Sequence, residues 1–306
     1  MGTFHARLVH NMADAEVTVV SDPYHPDLAA LAAEIGAVVI NDPAGVAAND
    51  HVDAIIIASP DETHASLALS AIEADKPVLC EKPLATTVTD ARAVVAADEA
   101  KPQRLVQLGF MREYDEAHVQ LVDALTDLGG IQYIRCGHAN TPSPARTLDV
   151  IVGQSMVHEI HSVRFITRTE FTSITASVNH SPTGEIRHVV VLAALSSGGH
   201  AVLEFDDAGF AYDVTVEATA DRGAVALGRQ IRADVMTDGW RRSNVGVDWF
   251  GRFAQAYRDE VKAWVSAART NTVTGPTARD GLAAQLVVEA ILTSAETGQT
   301  TQVENL

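Results

Sequence analysis

The feature that most constrains the fold is a regular alternation of short apolar segments and amphipathic segments between residues 15 and 110. The apolar segments predict strands at 15–22, 37–40, 52–60, 76–83 and 104–110, and the segments between them predict helices at 26–36, 62–75 and 87–100. The first of these helices is predicted to end at Gly36. Thr87 lies three residues before Asp90, which is the spacing of a helix N-cap and the residue it caps. Strands that alternate with helices predict an α/β fold with a parallel, doubly wound sheet.

The second half of the chain has a different pattern. Helices are predicted at about 115–128, 150–167, 246–270 and 277–296, and strands at 129–140, 173–179, 188–195, 200–205 and 212–219. Gly198 and Gly199 supply a hairpin turn, and apolar residues alternate with polar ones from Asp213 to Ala218. This alternation predicts an α+β domain with a largely antiparallel open sheet, one face of which meets solvent or another subunit. The domain boundary is expected near residue 115, with domains at 1–115 and 116–306.

Charge and cysteine content exclude several classes of function. A formal net charge of −18 over 306 residues argues against a nucleic-acid partner or an anionic membrane surface. No apolar run approaches the roughly 20 residues that span a bilayer. Cys80 and Cys136 are the only cysteines, so the chain has neither a disulfide framework nor a cysteine-rich metal site. A cytoplasmic protein is expected.

Polar residues follow the predicted strands at the edge where open parallel sheets bind ligands. Asp22 ends the first strand, 20 residues after Gly2. This is the spacing at which an acid holds a ribose 2′-hydroxyl in a dinucleotide site. A turn-forming role for Asp22 fits the local sequence equally well, and both roles stay open. Ser59 and Pro60 follow a later strand and are expected beneath the cofactor.

The segment CEKPLA ends a strand with Glu81 and Lys82 and stops with Pro83. A lysine at such a strand end could donate a hydrogen bond to a substrate oxygen and stabilise developing negative charge. A surface ion pair is the commoner role for a lysine, and the local sequence leaves both open. His64, in the first turn of the preceding helix, is predicted to have a minor role in the cofactor pocket.

These stretches resemble a known family. VDAIIIASPDETHASLALSAIEADKPVLCEKPLA and LGFMREYD resemble the signature of the glucose–fructose oxidoreductase, inositol dehydrogenase and rhizopine-catabolism family, Gfo/Idh/MocA. MVHEIHSVRFI, VDWFGRFAQAYRDEVKAWVSAA and GPTARDGLAAQLVVEA are similar to its second-domain helices, most closely to those of inositol dehydrogenases. The resemblance covers essentially the whole chain, and its most specific part is Glu81–Lys82–Pro83.

The resemblance implies a dinucleotide-binding (Rossmann) domain, an NAD cofactor rather than NADP, and hydride transfer from a hydroxyl carbon of a cyclitol or sugar. Lys82 matches the family's active-site lysine, His158 its general acid/base, and Gln154 the position of an aspartate beside that histidine. The cofactor would be held by Gly2, Asp22, Ser59, Pro60, His64, Glu81 and Lys82, and the substrate by Arg112, Asn140 and His161. A homodimer or homotetramer is also implied.

Three positions depart from the family pattern. Gln154 stands in place of the aspartate four residues before His158, His161 in place of the aspartate of HEID, and Arg112–Glu113 in place of a basic pair. A continuous α-helix would put Gln154, His158 and His161 on one face. A metal site on the two histidines is the less favoured interpretation because no third ligand is visible.

Two functions from different classes stay open. The first is an NAD(P)-dependent dehydrogenase of a cyclitol or sugar, which the intact Glu81–Lys82–Pro83, His158 and Asp22 favour. The second is a non-catalytic or cofactor-impaired relative that binds a sugar or nucleotide or has a structural role, which Gln154 favours.

The N-terminal residues MGTFHA predict that the natural protein is longer. In the family a strand and Gly-x-Gly-x-x-Gly precede a helix that contains a histidine. Gly2 matches the third glycine and His5 the helix histidine. The first strand and two glycines, about a dozen residues, are therefore expected before Met1.

Overall fold

The computed structural model of the chain describes residues 1–141, 145–207, 209, 211–227, 234–237, 240–243 and 248–306, with only the backbone at 234–237 and 240–243. The chain divides into two compact units. Unit 1 comprises Met1–Met111, Tyr257–Gln285 and Leu306, and unit 2 comprises Arg112–Ala256 and Leu286–Asn305. The predicted fold classes are confirmed, because the strands of unit 1 pair in parallel and unit 2 contains a mostly antiparallel sheet.

The first part of unit 1 alternates helices and strands as predicted. Its elements are α1 (Gly2–His10), β1 (Val19–Val20), α2 (Leu28–Ile35), β2 (Val38–Val39), β3 (Ile55–Ile57), α3 (His64–Glu73), β4 (Val78–Glu81), α4 (Val88–Glu99) and β5 (Val106–Gly109). Strands β3, β4 and β5 form a parallel sheet with β4 in the centre, and β1 pairs in parallel with β2. Within the described part of unit 1, no ladder joins these two groups.

Local signals in the sequence set the ends of two helices. Gly36 has a left-handed backbone with φ of 78° at the end of α2, a conformation that glycine adopts without steric cost. The Thr87 side chain accepts a hydrogen bond from the Asp90 backbone N–H at 3.1 Å at the start of α4. Both predictions are confirmed. The strand predicted at 15–22 is wrong in length, because its ladder extends only along the two residues of β2.

Unit 2 is built on a large sheet. Its elements up to residue 243 are α5 (Glu116–Leu125), β6 (Ile131–Ala139), α6 (Leu148–Val150), α7 (Val157–Thr167), β7 (Phe171–His180), β8 (Ile186–Leu195), β9 (His200–Asp206), β10 (Asp213–Ala220), β11 (Gly223–Ala226), β12 (Asp234–Thr237) and β13 (Trp240–Ser243). The remaining strand is β14 (Thr301–Gln302). Strands β12 and β13 form a separate antiparallel pair.

The large sheet has the order β11-β10-β6-β9-β8-β7-β14, and only β6 and β9 pair in parallel. Val214, Val216 and Ala218 of β10 are buried, whereas the residues between them are half-buried or exposed. The predicted alternation is therefore confirmed. Gly198 has φ of 90° in the turn between β8 and β9, which is the left-handed conformation expected of a hairpin glycine.

The helix predicted at 150–167 is not a continuous α-helix. Residues Ile151–Met156 are π-helical between α6 and α7. A π-helix bonds residue i to i+5, so α-helical spacing does not hold across it. The α-helical spacing from which a shared face of Gln154, His158 and His161 was predicted therefore does not apply across this segment, and the shared face stays a prediction. Gln154 is exposed, and the two histidines are buried.

Two long helices, α8 (Trp249–Ala268) and α9 (Ala278–Thr297), close the chain. Val261, Trp264 and Val265 of α8 form a core cluster with Val9 and Leu79 in unit 1. A Cβ atom on Gly281 of α9 would lie only 2.7 Å from side-chain carbons of Leu84 and Leu108, so a glycine permits this close approach. Domains at 1–115 and 116–306 stay a prediction, and that division leaves out the packing of residues 257–285 in unit 1.

Across the described residues, no helix is both long and apolar enough to cross a membrane.

Candidate active site

The start of α1 lies beside the ends of strands β1 and β3. A Cβ atom on Gly2 would lie 4.0 Å from the carbonyl oxygen of Ala58, which directly follows β3. Thr3 Oγ1 is 3.3 Å from Nε2 of His25, in the loop that follows β1. Gly2 and the loop that contains Asp22 therefore lie at the same edge of unit 1.

Asp22 is exposed and stabilises its own loop. Its Oδ1 accepts hydrogen bonds from the backbone N–H groups of Tyr24 at 2.9 Å and His25 at 3.1 Å. The turn-forming role that the sequence allowed is thus present. It does not exclude ribose binding, because an ionised carboxylate has a second oxygen that also accepts hydrogen bonds.

His64 connects the loops that follow β3 and β4. Its side chain is 1% exposed, with Nδ1 2.6 Å from the Pro83 carbonyl oxygen and Nε2 3.0 Å from the Ser59 carbonyl oxygen. Ser59 Oγ also lies 2.6 Å from Thr63 Oγ1. Ser59, Pro60 and the Glu81–Pro83 segment are consequently held at one edge, as the strand order predicts.

Glu81 is buried at the end of β4 and pairs with a histidine of α1. Nε2 of His5 lies 2.7 Å from Glu81 Oε1, and the two residues are 2% and 5% exposed. Burial acts to raise the pKa of Glu81, but the hydrogen bond from His5 and the positive charges of His5, Lys82 and His64 outweigh it and hold this pKa below its usual range. Glu81 is therefore an ionised acceptor directly before the half-buried Lys82.

In unit 2 a second glutamate lies at the centre of a buried polar cluster. Glu159 is 0% exposed. Nη1 of Arg112 lies 2.5 Å from its Oε1, and Nδ1 of His138 lies 3.2 Å from its Oε2. Burial acts to raise the pKa of Glu159, but the charges of Arg112 and His138 outweigh it and lower this pKa to about 2. The carboxylate is ionised, so His138 donates through Nδ1.

The cluster continues to Asn140 and to the aromatic ring of Phe253. His138 Nε2 lies 3.2 Å from Asn140 Oδ1, and Asn140 is half-buried. The Arg112 guanidinium lies 5.6 Å from the centre of the Phe253 ring. Arg112 is itself buried and bound to Glu159, so the structure gives it a supporting contact in addition to its predicted substrate role.

The predicted catalytic residues fall in different units. Lys82 belongs to unit 1, and Gln154 and His158 belong to unit 2. His158 is in the first turn of α7, directly before Glu159, and is buried. The cofactor, substrate and catalytic assignments made from the sequence stay predictions.

Two of the three departures from the family pattern contact each other. His161 Nε2 lies 2.8 Å from Oε1 of Glu113. The sequence presented these two residues as separate changes, whereas the structure shows a single ion pair or hydrogen bond within unit 2. In the described part of the chain, no group of three His, Cys, Asp or Glu side chains is arranged to hold a metal ion.

Sequence reasoning missed the residues that support the site. His5, His138 and Glu159 received no site role, although signals for two of them were present. Glu159 is next to the apolar Ile160 in the predicted helix and close to Val157 and Val163, and a glutamate buried among such residues requires a partner. His138 and Asn140 are two residues apart on a predicted strand and so share a face.

Unit 1 fits a dinucleotide cofactor. The helix α1 begins at Gly2 beside the end of β3, and a helix N-terminus binds a pyrophosphate through its backbone N–H groups. Asp22 offers a carboxylate oxygen at the neighbouring strand end. A helix start, an acid and a polar strand-end loop at one edge form the donor and acceptor set that a dinucleotide requires.

Comparisons with known proteins agree with this arrangement. Residues 1–110 match an oxidoreductase family model described as an NAD-binding Rossmann fold, and residues 206–304 match the C-terminal alpha/beta domain of that family. Inositol 2-dehydrogenase 1 of Saccharopolyspora erythraea is 36% identical over 319 residues, which cover 99% of this chain and 94% of that protein. Inositol 2-dehydrogenase of Rhodococcus jostii is 35% identical, with 99% and 90% covered.

A solved structure is similar over the whole chain. Myo-inositol dehydrogenase from Lactobacillus casei, in complex with NAD(H) and myo-inositol, matches with a TM-score of 0.95 and 25% identity, covering 100% of this chain and 94% of that one. Fold and site together define an oxidoreductase with an NAD-binding Rossmann domain. The chain belongs to the Gfo/Idh/MocA oxidoreductase family.

Proposed function

We propose that this chain is an NAD-dependent dehydrogenase that oxidises a ring hydroxyl of a cyclitol to a ketone, in the manner of an inositol 2-dehydrogenase. The observation that carries the proposal is the supported Glu81–Lys82–Pro83 segment on a chain that is 36% identical to an inositol 2-dehydrogenase. Relatives and a similar solved structure are named as inositol dehydrogenases.

In the proposed mechanism the substrate hydroxyl loses a proton and its carbon loses a hydride. Bound NAD supplies the hydride acceptor. His158 takes the hydroxyl proton as general base, and Lys82 donates a hydrogen bond to the oxygen and stabilises its developing negative charge. Gln154 cannot take a proton, but its amide can bind a neighbouring hydroxyl as donor or acceptor.

The proposed binding residues follow from their positions. The start of α1 at Gly2 holds the pyrophosphate, and Asp22 holds the ribose and favours NAD over NADP because a carboxylate repels a 2′-phosphate. The rest of the cofactor pocket is assigned to Ser59, Pro60, His64, Glu81 and Lys82. Polar contacts to the substrate are assigned to Arg112, Asn140 and His161.

Cofactor binding followed by turnover tests the proposal. NAD titration of the purified chain is expected to show binding, and a panel of inositols and aldoses is expected to produce NADH with an inositol. Lys82→Ala is expected to lower kcat by roughly 10²- to 10³-fold, whereas Lys262→Ala, a control outside the assigned site residues, is expected to leave it unchanged. Failure to bind NAD at millimolar concentration would overturn the proposal.

The alternative, a non-catalytic relative, is not favoured by the comparisons, since relatives that match across the chain are named as dehydrogenases. Its distinguishing result is NAD binding without NADH formation from any member of the panel.

We further propose that the protein is a cytoplasmic homodimer or homotetramer that assembles through the exposed face of the unit 2 sheet. Val190 and Leu192 on this face of β8 are 42% and 51% exposed, and apolar side chains at an interface are removed from water. Light scattering during gel filtration is expected to show an oligomer. Leu192→Asp is expected to dissociate it, and an unchanged mass would contradict this interface.

A further inference from the structure

Two buried histidines hold the residues on either side of Lys82. His5 of α1 binds the side chain of Glu81, and His64 of α3 binds the backbone carbonyl of Pro83. We propose that His5 and His64 are positioning residues that jointly orient Lys82. The inference rests on the proposed catalytic role of Lys82 and extends it to two residues that do not touch the reacting atoms.

The contact before the lysine is a charge-assisted hydrogen bond. Glu81 is ionised and can only accept, so His5 donates through Nε2. The carboxylate is enclosed further by β5, because a Cβ atom on Gly109 would lie 3.2 Å from Glu81 Oε2. Removing the donor would leave a buried charge without its partner, and such a group must shift or find another donor. His5 thereby determines where the residue before Lys82 lies.

The contact after the lysine joins two loops. A carbonyl oxygen only accepts hydrogen bonds. A proton on Nδ1 of His64 is therefore donated to the Pro83 carbonyl oxygen, and a proton on Nε2 is donated to the Ser59 carbonyl oxygen. His64 lies at the start of α3 and is buried. The backbone at Pro83 is thus attached to the helix that follows β3, independently of the His5 contact.

Anchoring both neighbours fixes the direction in which the lysine side chain leaves the backbone. A lysine side chain is long and flexible, so the position of its ammonium group depends on that starting direction. Displacement of a catalytic group by about 1 Å costs about 100-fold in rate. Loss of either histidine contact is therefore expected to lower kcat while leaving the polyol KM nearly unchanged.

Matched variants separate positioning from general damage. His5→Phe and His64→Phe remove the hydrogen bonds and keep a ring, and each is expected to lower kcat by about 100-fold. In His5→Gln the amide nitrogen can occupy the place of Nε2, and in His64→Asn it can occupy the place of Nδ1. Both are expected to recover most of the lost rate. His10→Phe and His51→Phe, at exposed positions, serve as controls with no expected effect.

A spectroscopic measurement reports on Lys82 without turnover. The chain has only four lysines, Lys76, Lys82, Lys101 and Lys262, so reductive methylation with ¹³C-formaldehyde gives few NMR signals, and Lys82→Arg assigns the relevant one. The Lys82 signal is expected to shift in both Phe variants and to return in His5→Gln and His64→Asn. The Lys101 and Lys262 signals are expected to stay in place.

The two proposals fail in different ways. If the wild-type protein produces no NADH from any substrate, the proposed function fails, while the Lys82 signal still tests positioning. Folded Phe variants with wild-type kcat or an unmoved Lys82 signal would overturn the inference. If circular dichroism shows that a Phe variant is unfolded, a variant with a smaller side chain, His5→Asn or His64→Ala, replaces it and is judged by the same criteria.

Discussion

Unit 1 and unit 2 each bury a glutamate beside a residue proposed to act in catalysis, but the two glutamates have different partners. Glu81 precedes Lys82 and accepts a hydrogen bond from His5. Glu159 follows His158 and lies between Arg112 and His138. An arginine stays charged at any practical pH. The unit 2 glutamate therefore has a permanently charged partner, whereas the unit 1 glutamate has a histidine N–H donor.

The two glutamates have different partners because they differ in burial and in the number of carboxylate oxygens that need a donor. Glu159 has no exposed surface, and both of its oxygens have cationic or polar partners. A fully buried carboxylate is costly unless a charge and additional hydrogen bonds compensate its desolvation. Glu81 ends a strand and keeps a small exposed fraction, so one strong donor suffices. The comparison indicates that an arginine ion pair supports the buried glutamate of unit 2, whereas a charge-assisted hydrogen bond from a histidine supports that of unit 1.

The largest expected effect is on the stability of unit 2. Glu159→Gln leaves Arg112 buried without its counter-charge, and the free energy of unfolding is expected to fall by about 3–5 kcal/mol. Urea denaturation measures this loss. Glu170→Gln, which breaks the more exposed contact with Arg164, is the control and is expected to cost under about 1 kcal/mol. Equal losses in both variants would remove the distinction between the two pairs.

A double variant tests further whether the buried ion pair of unit 2 is required for its charges. Replacement of both members of the ion pair, Arg112→Met with Glu159→Leu, is expected to recover part of the stability that Glu159→Gln loses, because Arg112 no longer leaves an uncompensated buried charge. The recovery is partial because Nδ1 of His138 loses its acceptor in this variant. A double variant as unstable as the single one would show that packing, and not charge pairing, makes the cluster necessary.

Acid is expected to destabilise the protein through Glu159. Its folded pKa of about 2 lies below the ordinary value of 4.5. The stabilisation is therefore complete above about pH 4.5 and is lost as the pH falls towards 2, since the unfolded chain binds the proton more readily. The shift corresponds to roughly 3 kcal/mol. Denaturation of wild type and Glu159→Gln between pH 6 and pH 3 is expected to show a shallower pH dependence in the variant. Parallel curves would contradict this.

A smaller stability effect is expected in unit 1. Glu81→Gln keeps an acceptor oxygen for the N–H group of His5, so the cost is expected to be about 1 kcal/mol. The same denaturation assay measures it. A loss as large as that of Glu159→Gln would show that the negative charge of Glu81 is as necessary for stability as that of Glu159, and the proposed contrast between the units would be wrong.

Local signals predicted local structure well. Thr87 caps α4, Gly36 ends α2, and the alternation along β10 matches its burial, because each depends on residues close in sequence. The strand at 15–22 and the continuous helix at 150–167 were wrong, since ladder length depends on a partner strand and the π-helical turn is not encoded by apolar periodicity.

The sequence by itself determined the family, the two fold classes and the Glu81–Lys82–Pro83 signature, because these are expressed in residue types and their spacing along the chain. Only the tertiary structure decided which groups support the site. Glu159 lies far along the chain from Arg112, as does Glu81 from His5, and no periodicity relates them. The burial of a carboxylate and the identity of its partner are set by packing between distant segments, and packing also joined His161 to Glu113, which the sequence presented as unrelated changes.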